Sequence, residues 1–276
     1  MRVLLTNDDG VAAEGLQAAR RALRDLDGVE VNVIAPDSNR SATARSITTR
    51  SPLAVEEVEF DDGDHGFATD GTPVDCVRFA ELGLVGERPD LIVSGINHGS
   101  NLGDDITYSG TVAAAFEGIV LGVPALAVSQ QSTAKEMSFV AGRSFDFGVA
   151  AAFTAELVAL FAREPIPAGT LINVNCPGRE PTGVEVTHLG KRLYNDELKL
   201  VGEDGDSGRR RYQIYGFEPS FEDEEGSDLS AIASGRISVT PVHFDLTDRG
   251  GLEALRGRDL ETMLDAAKAT GPTSGG

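Results

Sequence analysis

The stretch Asp90-Leu91-Ile92-Val93-Ser94, followed by the glycine-rich run Gly95 to Gly103, the alanine-rich segment Thr111 to Leu121 and the apolar run Pro124 to Ser129, decides the fold. It reads as strand, loop, helix, strand: a βαβ unit whose two strands must run parallel, because only a long crossover separates them. The same alternation extends in both directions. Upstream, Val3-Leu4-Leu5 is an apolar strand, Leu16, Ala19, Leu23 and Leu26 recur at helical spacing, and Val31 to Ala35 is a second strand stopped by Pro36. Thr72-Pro73-Val74-Asp75 supplies an N-cap, a proline at the first helical position and an acid at the third, so a helix is expected to run to about Leu82. Downstream, Ser144 to Phe161 reads as a long helix and Thr170 to Asn175 as a strand. Strands interleaved with helices predict an α/β, Rossmann-like three-layer sandwich with a mostly parallel central sheet.

On this reading residues 1–176 form the catalytic core, with a β-arm near 53–68. Residues 177–276 form arms and a C-terminal oligomerisation segment of the same domain. Short strand patterns at Val184 to His188, Arg211 to Phe217 and Arg236 to Pro241 are separated by Gly- and acid-rich connections, and a closing helix is expected over Leu252 to Ala269.

Composition narrows the function classes. Of 276 residues, 44 are acidic and 24 basic, a net charge of −20 that repels long nucleic acid and anionic membranes. Glu56 to Asp64 alone holds six carboxylates in nine positions. No apolar run approaches the roughly 18 residues of a membrane span, and the N-terminus lacks a secretory core, so a cytoplasmic location is expected. Cys76 and Cys176 stand 100 positions apart without neighbouring Cys or His at metal-ligand spacing, and read as buried apolar residues.

In a parallel α/β sheet ligands bind beyond the carboxyl ends of the strands, so the chemistry is sought in those loops. After the first strand, Asp8 and Asp9 are adjacent at a turn, where their repulsion is relieved by a hard cation such as Mg²⁺, Mn²⁺ or Ca²⁺; capping of the next helix is the plainer alternative. After the second, Asp37 to Thr43 offers hydroxyl oxygens beside the guanidinium groups of Arg40 and Arg45. After the next strand of the core, Asn97 offers a neutral oxygen among glycines. The segment then reaches Ser109-Gly110-Thr111 at the start of a helix, where backbone N–H groups and hydroxyls make a seat for phosphate. Carboxylates, a hydroxyl and an amide around a divalent cation, facing a phosphate seat, point to metal-assisted hydrolysis of a phosphate monoester: the cation acidifies a bound water, while Arg40 and the helix end hold the group in line.

Five motifs carry a resemblance to a known family: Thr6-Asn7-Asp8-Asp9-Gly10, Ala35-Pro36-Asp37-Ser38-Asn39-Arg40-Ser41-Ala42, Gly71-Thr72-Pro73-Val74-Asp75-Cys76-Val77, Ser94-Gly95-Ile96-Asn97-His98-Gly99-Ser100-Asn101-Leu102-Gly103 and Tyr108-Ser109-Gly110-Thr111-Val112. In this order they resemble the SurE family, and Ser238-Val239-Thr240-Pro241 is similar to its C-terminal strand. The resemblance implies a 5′-nucleotidase that hydrolyses nucleoside 5′- and 3′-monophosphates, with one divalent cation, Mg²⁺ or Mn²⁺, per subunit. It implies Asp8, Asp9, Ser41 and Asn97 as metal ligands, with Asp8 and Asp9 also catalytic. Asn101, Ser109, Gly110 and Thr111 would hold phosphate, joined by Arg40 from the reading above. It further implies a homodimer or homotetramer.

His98 stands at a variable motif position and is expected to be a bystander; His243 is expected to be structural. No residue stands out as the acid for the leaving alkoxide, which leaves a bound water. A non-catalytic nucleotide or metal sensor is the alternative from another class. An aspartyl-phosphate mechanism lacks its Asp-x-Asp, and a dinucleotide oxidoreductase lacks Gly-x-Gly-x-x-Gly at the first turn. The acidic surface, which has a halophilic character, generates a prediction of its own. Self-repulsion is screened by salt, so the thermal midpoint should rise between low and molar KCl; equal midpoints would contradict it.

Overall fold

The computed structural model describes residues 1–135, 144–194, 197–204, 208–214 and 220–270. By its contacts the chain divides into two compact units, Met1–His243 and Phe244–Gly276.

In the first unit the described strands build one central sheet from β1 (Arg2–Thr6), β2 (Glu30–Pro36), β3 (Val55–Glu59), β4 (His65–Thr69), β5 (Leu91–His98), β6 (Ala125–Gln130), β7 (Leu171–Cys176), β8 (Val184–Val186) and β13 (Ile237–Val242). Their order is β3-β4-β2-β1-β5-β6-β7-β13-β8. The pairs β2–β1, β1–β5, β5–β6 and β6–β7 are parallel, as expected, whereas β13 returns antiparallel to β7. After β2 the chain adds β3 and β4 outside β2, and only after β4 does it cross to β5 on the far side of β1, making the β1/β5 boundary the topological switch point where such sheets bind ligands.

Helices cover both faces. Helix α1 (Glu14–Arg24) packs with α4 (Gly148–Arg163), and α2 (Pro73–Glu81) with α3 (Gly110–Val120). Leu16, Ala19 and Leu23, spaced three and four apart, bury one stripe of α1 against Val3, Leu5, Val33 and Val93. On the other face Cys76, Val77 and Ala80 of α2 and Val112, Ala115 and Ile119 of α3 enclose Leu4, Ile34 and Ile92. Central strands buried on both sides explain their unbroken apolar runs. Helix α2 starts with the expected capping box: the Thr72 hydroxyl accepts from Asp75 N–H, and the Asp75 carboxylate accepts from Thr72 N–H. Both cysteines are buried and reduced, and burial pushes their thiols up to about 12.

Three elements differ from expectation. The 53–68 segment forms the β3–β4 hairpin, but β4 lies parallel to β2, so the hairpin is seated on the core sheet, with Gly66 and Ala68 turned inward. Helix α4 begins four residues late, at Gly148, whose N–H is capped by the Asp146 carboxylate. The closing helix is two: α6 (Arg249–Arg256) ends at Gly257, and α7 (Leu260–Thr270) restarts where Asp259 accepts from Thr262 N–H. A Gly followed two residues later by an N-capping Asp outweighs the apolar periodicity that seemed to join them.

Between β8 and β13 lie β9 (Arg192–Leu193), β10 (Lys199–Asp204), β11 (Arg209–Gln213), β12 (Ser220–Phe221) and α5 (Asp228–Ala233). Strands β10 and β11 form a hairpin, and β12 pairs with β9. Residues 215–217 of the strand expected at Arg211 to Phe217 lie outside the described residues.

Candidate active site

The loops after β1, β2 and β5 meet the start of α3. Buried Asn7 shapes the first of them, its side chain accepting from Gly10 N–H and donating to Gly10 O, so that Asp8 and Asp9 project from the end of β1. The Asp8 carboxylate is only 3% exposed and lies against α3: it accepts from the Thr111 hydroxyl, and a Cβ on Gly110 would come within 2.7 Å of its Oδ2. Only glycine permits that approach at position 110. Asp9 accepts from His98 N–H at 3.0 Å and from Asn39 Nδ2 at 3.1 Å, which ties β1 to the ends of β5 and β2.

Asn97 directly precedes His98, whose N–H bonds Asp9, and follows an irregularity in β5. Ser94 pairs with Ala127 but Asn97 with Ser129, so β5 carries one residue more than β6 over this span. Gly95 takes up the bulge at φ +134°, where a Cβ would lie 2.3 Å from Val128 O. The Asn97 amide donates to Gly99 O, which leaves its Oδ1 as the group turned to chemistry.

Ser41 sits in a loop stitched at several points. Arg40 N–H donates to Asp8 O and Ser41 N–H to Asn39 Oδ1; Thr48 donates through both its N–H and its hydroxyl to Asp75. Arg45 and Arg78 both pair with Glu117, a buried carboxylate on α3. Between these anchors Ala42 and Ala44 are held at φ +59° and +51°, a conformation costly for alanine.

These residues fit a hard divalent cation. The Ser41 hydroxyl is buried and has no hydrogen-bond partner among the described residues. Two carboxylates with neutral hydroxyl and amide oxygens suit a hard cation rather than a soft one. Electrostatics agree: burial, then the charge of Asp9, pushes the Asp8 carboxyl up to about 6, while burial raises Asp9, opposed by its bonds from His98 and Asn39. A nearby positive charge would reverse both shifts.

The residues expected to hold phosphate, Arg40 apart, are placed around the start of α3 and in the loop after β5. Ser109 is its N-cap and accepts from Val112 N–H, which leaves its hydroxyl proton to donate. The Thr111 hydroxyl, expected as a phosphate donor, is committed to Asp8 and couples the two halves of the site. Asn101 is buried nearby in chain, with its Nδ2 donating to Ser129 Oγ. Arg40 is placed otherwise: its guanidinium donates to Asp37 at 2.9 Å and to Asp70 O at 3.2 Å. His98 turns away, its Nε2 accepting from Gly15 N–H and its ring packed on Phe145 and Phe147, and burial lowers its pKa. His243 is exposed just past β13.

The sequence reading missed Asn39, which bridges Asp9 and Ser41, and the pair Asn173 and Asn175 beneath Asn101. The second had a signal: two asparagines at i and i+2 in an apolar strand share one face.

Asp8 also sets a stability test. Burial and the charge of Asp9 push its carboxyl up to about 6 from the ordinary 3.8, so the folded state holds its proton more tightly than the unfolded chain does. The penalty is therefore absent below pH 3.8, grows as the pH rises through 6, and then amounts to roughly 3 kcal/mol without metal. In EDTA, Asp8→Asn should unfold at a higher temperature than the parent at pH 7.5, with the gap narrowing toward pH 4. A parent at least as stable as the variant at pH 7.5 would contradict the electrostatics described.

Comparison with known proteins places this geometry. The family model described as "Survival protein SurE" matches residues 3–196. A "5'-nucleotidase SurE" of Rubrobacter xylanophilus is 53% identical over 269 residues, covering 96% of this chain and 99% of the relative. One of Myxococcus xanthus is 46% identical, covering 94% of each. The crystal structure of the SurE protein from Aquifex aeolicus superposes with a TM-score of 0.76 at 37% identity, over 93% of this chain and 98% of that one. With the family model matched over most of the chain and relatives similar nearly end to end, the chain belongs to the SurE family.

Proposed function

We propose that this protein is a divalent-metal-dependent 5′-nucleotidase that hydrolyses nucleoside 5′- and 3′-monophosphates to nucleoside and phosphate. The observation that carries the reading is the contact of Asp8 with the first turn of α3, which places a buried, cation-seeking carboxylate against an anion-binding helix end. Asp8, Asp9, Ser41 and Asn97 hold one Mg²⁺ or Mn²⁺ per subunit. When bound, that cation neutralises charge on phosphoryl oxygens and makes a coordinated water more acidic.

The chain's own residues do the rest. Asn101, Ser109 and the backbone at Gly110 and Thr111 bind the phosphate, with α3 directing its positive end at the group. Arg40 reaches the phosphate by exchanging its bond to Asp37 for one to the substrate. Thr111 fixes the orientation of Asp8, and water protonates the leaving alkoxide.

We further infer a cytoplasmic homodimer or homotetramer acting on small nucleotides and not on long nucleic acid. None of the described helices is long and apolar enough to cross a membrane. Exposed Leu200, Val201 and Tyr212 on the β10–β11 hairpin, and Leu255, Leu260, Met263 and Leu264 on α6 and α7, are suited to contact a second copy.

Phosphate release from AMP and GMP with Mg²⁺ or Mn²⁺ tests the activity. The parent should turn over, Asp8→Asn should lose roughly a hundredfold or more, and Ser41→Ala should lose about tenfold, because water can replace a hydroxyl ligand. Binding of metal and nucleotide without turnover would support a sensor instead.

A further inference from the structure

The Asn101 loop is held by a device that neither its motif nor its neighbours in sequence contain. The side chain of Asn175 grips the backbone of Asn101 at both ends of the residue: its Oδ1 accepts from Asn101 N–H at 2.8 Å and its Nδ2 donates to Asn101 O at 2.9 Å. Asn173, two residues earlier on the same face of β7, donates a second bond to Asn101 O at 2.9 Å. On β6, Ser129 Oγ accepts from the Asn101 side-chain amide at 2.8 Å. Asn173, Asn175 and Ser129 are all fully buried. One residue thus has its N–H, its carbonyl and its side-chain amide all bonded to interior side chains.

The loop is fixed again two residues on. Gly103 N–H donates to Asp228 Oδ2 at 2.8 Å, and Leu102 is buried against Leu229 and Ile232. With that end secured, the asparagines determine how Asn101 itself is presented.

Such a row is expensive unless used. The other buried positions of β6 and β7 are Ala, Leu, Val, Ile and Cys, with Gln130 at the end of β6, and amides among them lose their hydration. Asn173 Oδ1 and the Ser238 hydroxyl, which faces Asn175 across β13, are buried without a hydrogen-bond partner among the described residues. A strand built only for stability gains more from apolar side chains at these positions.

We propose that Asn173, Asn175 and Ser129 are positioning residues for phosphate: they hold Asn101 so that the second hydrogen of its amide is aimed at the phosphoryl group before substrate arrives. Ser129 occupies the first hydrogen and fixes the rotamer, and Asn175 and Asn173 prevent the peptide from turning. Affinity gained this way comes from preorganisation. The inference rests on the reading of Asn101 as a phosphate residue.

The test uses the full-length, Mn²⁺-loaded protein with inorganic phosphate as the probe, alongside Mn²⁺ affinity by electron paramagnetic resonance and the unfolding midpoint. Asn175→Ala should weaken phosphate binding roughly tenfold or more, and Ser129→Ala about threefold to tenfold, both with Mn²⁺ affinity within about twofold of the parent. In AMP hydrolysis KM should rise in both. Should Asn175→Ala fail to fold, Ser129→Ala, which removes a single oxygen, decides by the same criterion. Unchanged phosphate affinity in a folded variant would overturn the proposal, as would parallel losses of phosphate affinity, Mn²⁺ affinity and midpoint, which mark a merely structural role. A parent that binds Mn²⁺ but neither binds phosphate nor releases it from AMP would remove the nucleotidase reading itself; a competent parent with unaffected variants removes only the clamp.

Discussion

Two carboxylates on consecutive residues, one almost wholly removed from water, repel each other across the end of the first strand. Everything near them is arranged around that unfavourable contact. Asp8 is pressed onto Gly110 and bonded by Thr111, so that the dipole and hydroxyl of α3 relieve part of the cost. Asp9 is bonded by Asn39 and by the His98 backbone. Burial raises both carboxyls despite these bonds, an imbalance that a divalent cation held as proposed would remove. On that proposal, metal binding would relieve a cost that the metal-free fold carries.

The sheet topology makes this arrangement possible. Crossing from β4 to the far side of β1 opens a crevice between β1 and β5, and the loops that border it come from strands with distant positions in the sequence. The bulge in β5 shifts the register just before Asn97, and the strap from Arg40 to Thr48 is anchored by Asp75 and Glu117, which belong to the two helices on one face. The proposed metal and phosphate sites would consequently share a scaffold, with the Thr111–Asp8 bond as their direct link.

The core was legible because its signals are local. Val3-Leu4-Leu5 and Leu91-Ile92-Val93 are strands buried on both faces, and the Thr72–Asp75 capping box states where α2 starts. The candidate ligands were legible through motif order. What escaped the sequence depends on distant pairing or on competition between local signals. The placement of β4 beside β2 is decided by which edge of the sheet remains open, and the Arg40 guanidinium follows the nearby carboxylate of Asp37. The break between α6 and α7 was written in Gly257 and Asp259 but hidden by apolar spacing on either side. Asn173 and Asn175 signalled a polar function through their period-two placement, yet their partner, Asn101, lies more than seventy residues away.

The central claim is that oxygens from three separate loops converge on one cation. Crystals soaked in Mn²⁺ and measured at a wavelength giving anomalous scattering from manganese test it most directly. A single anomalous peak bounded by Asp8, Asp9, Ser41 and Asn97 is the predicted result. Well-ordered loops with no peak between these side chains, or a peak elsewhere in the molecule, would contradict the account.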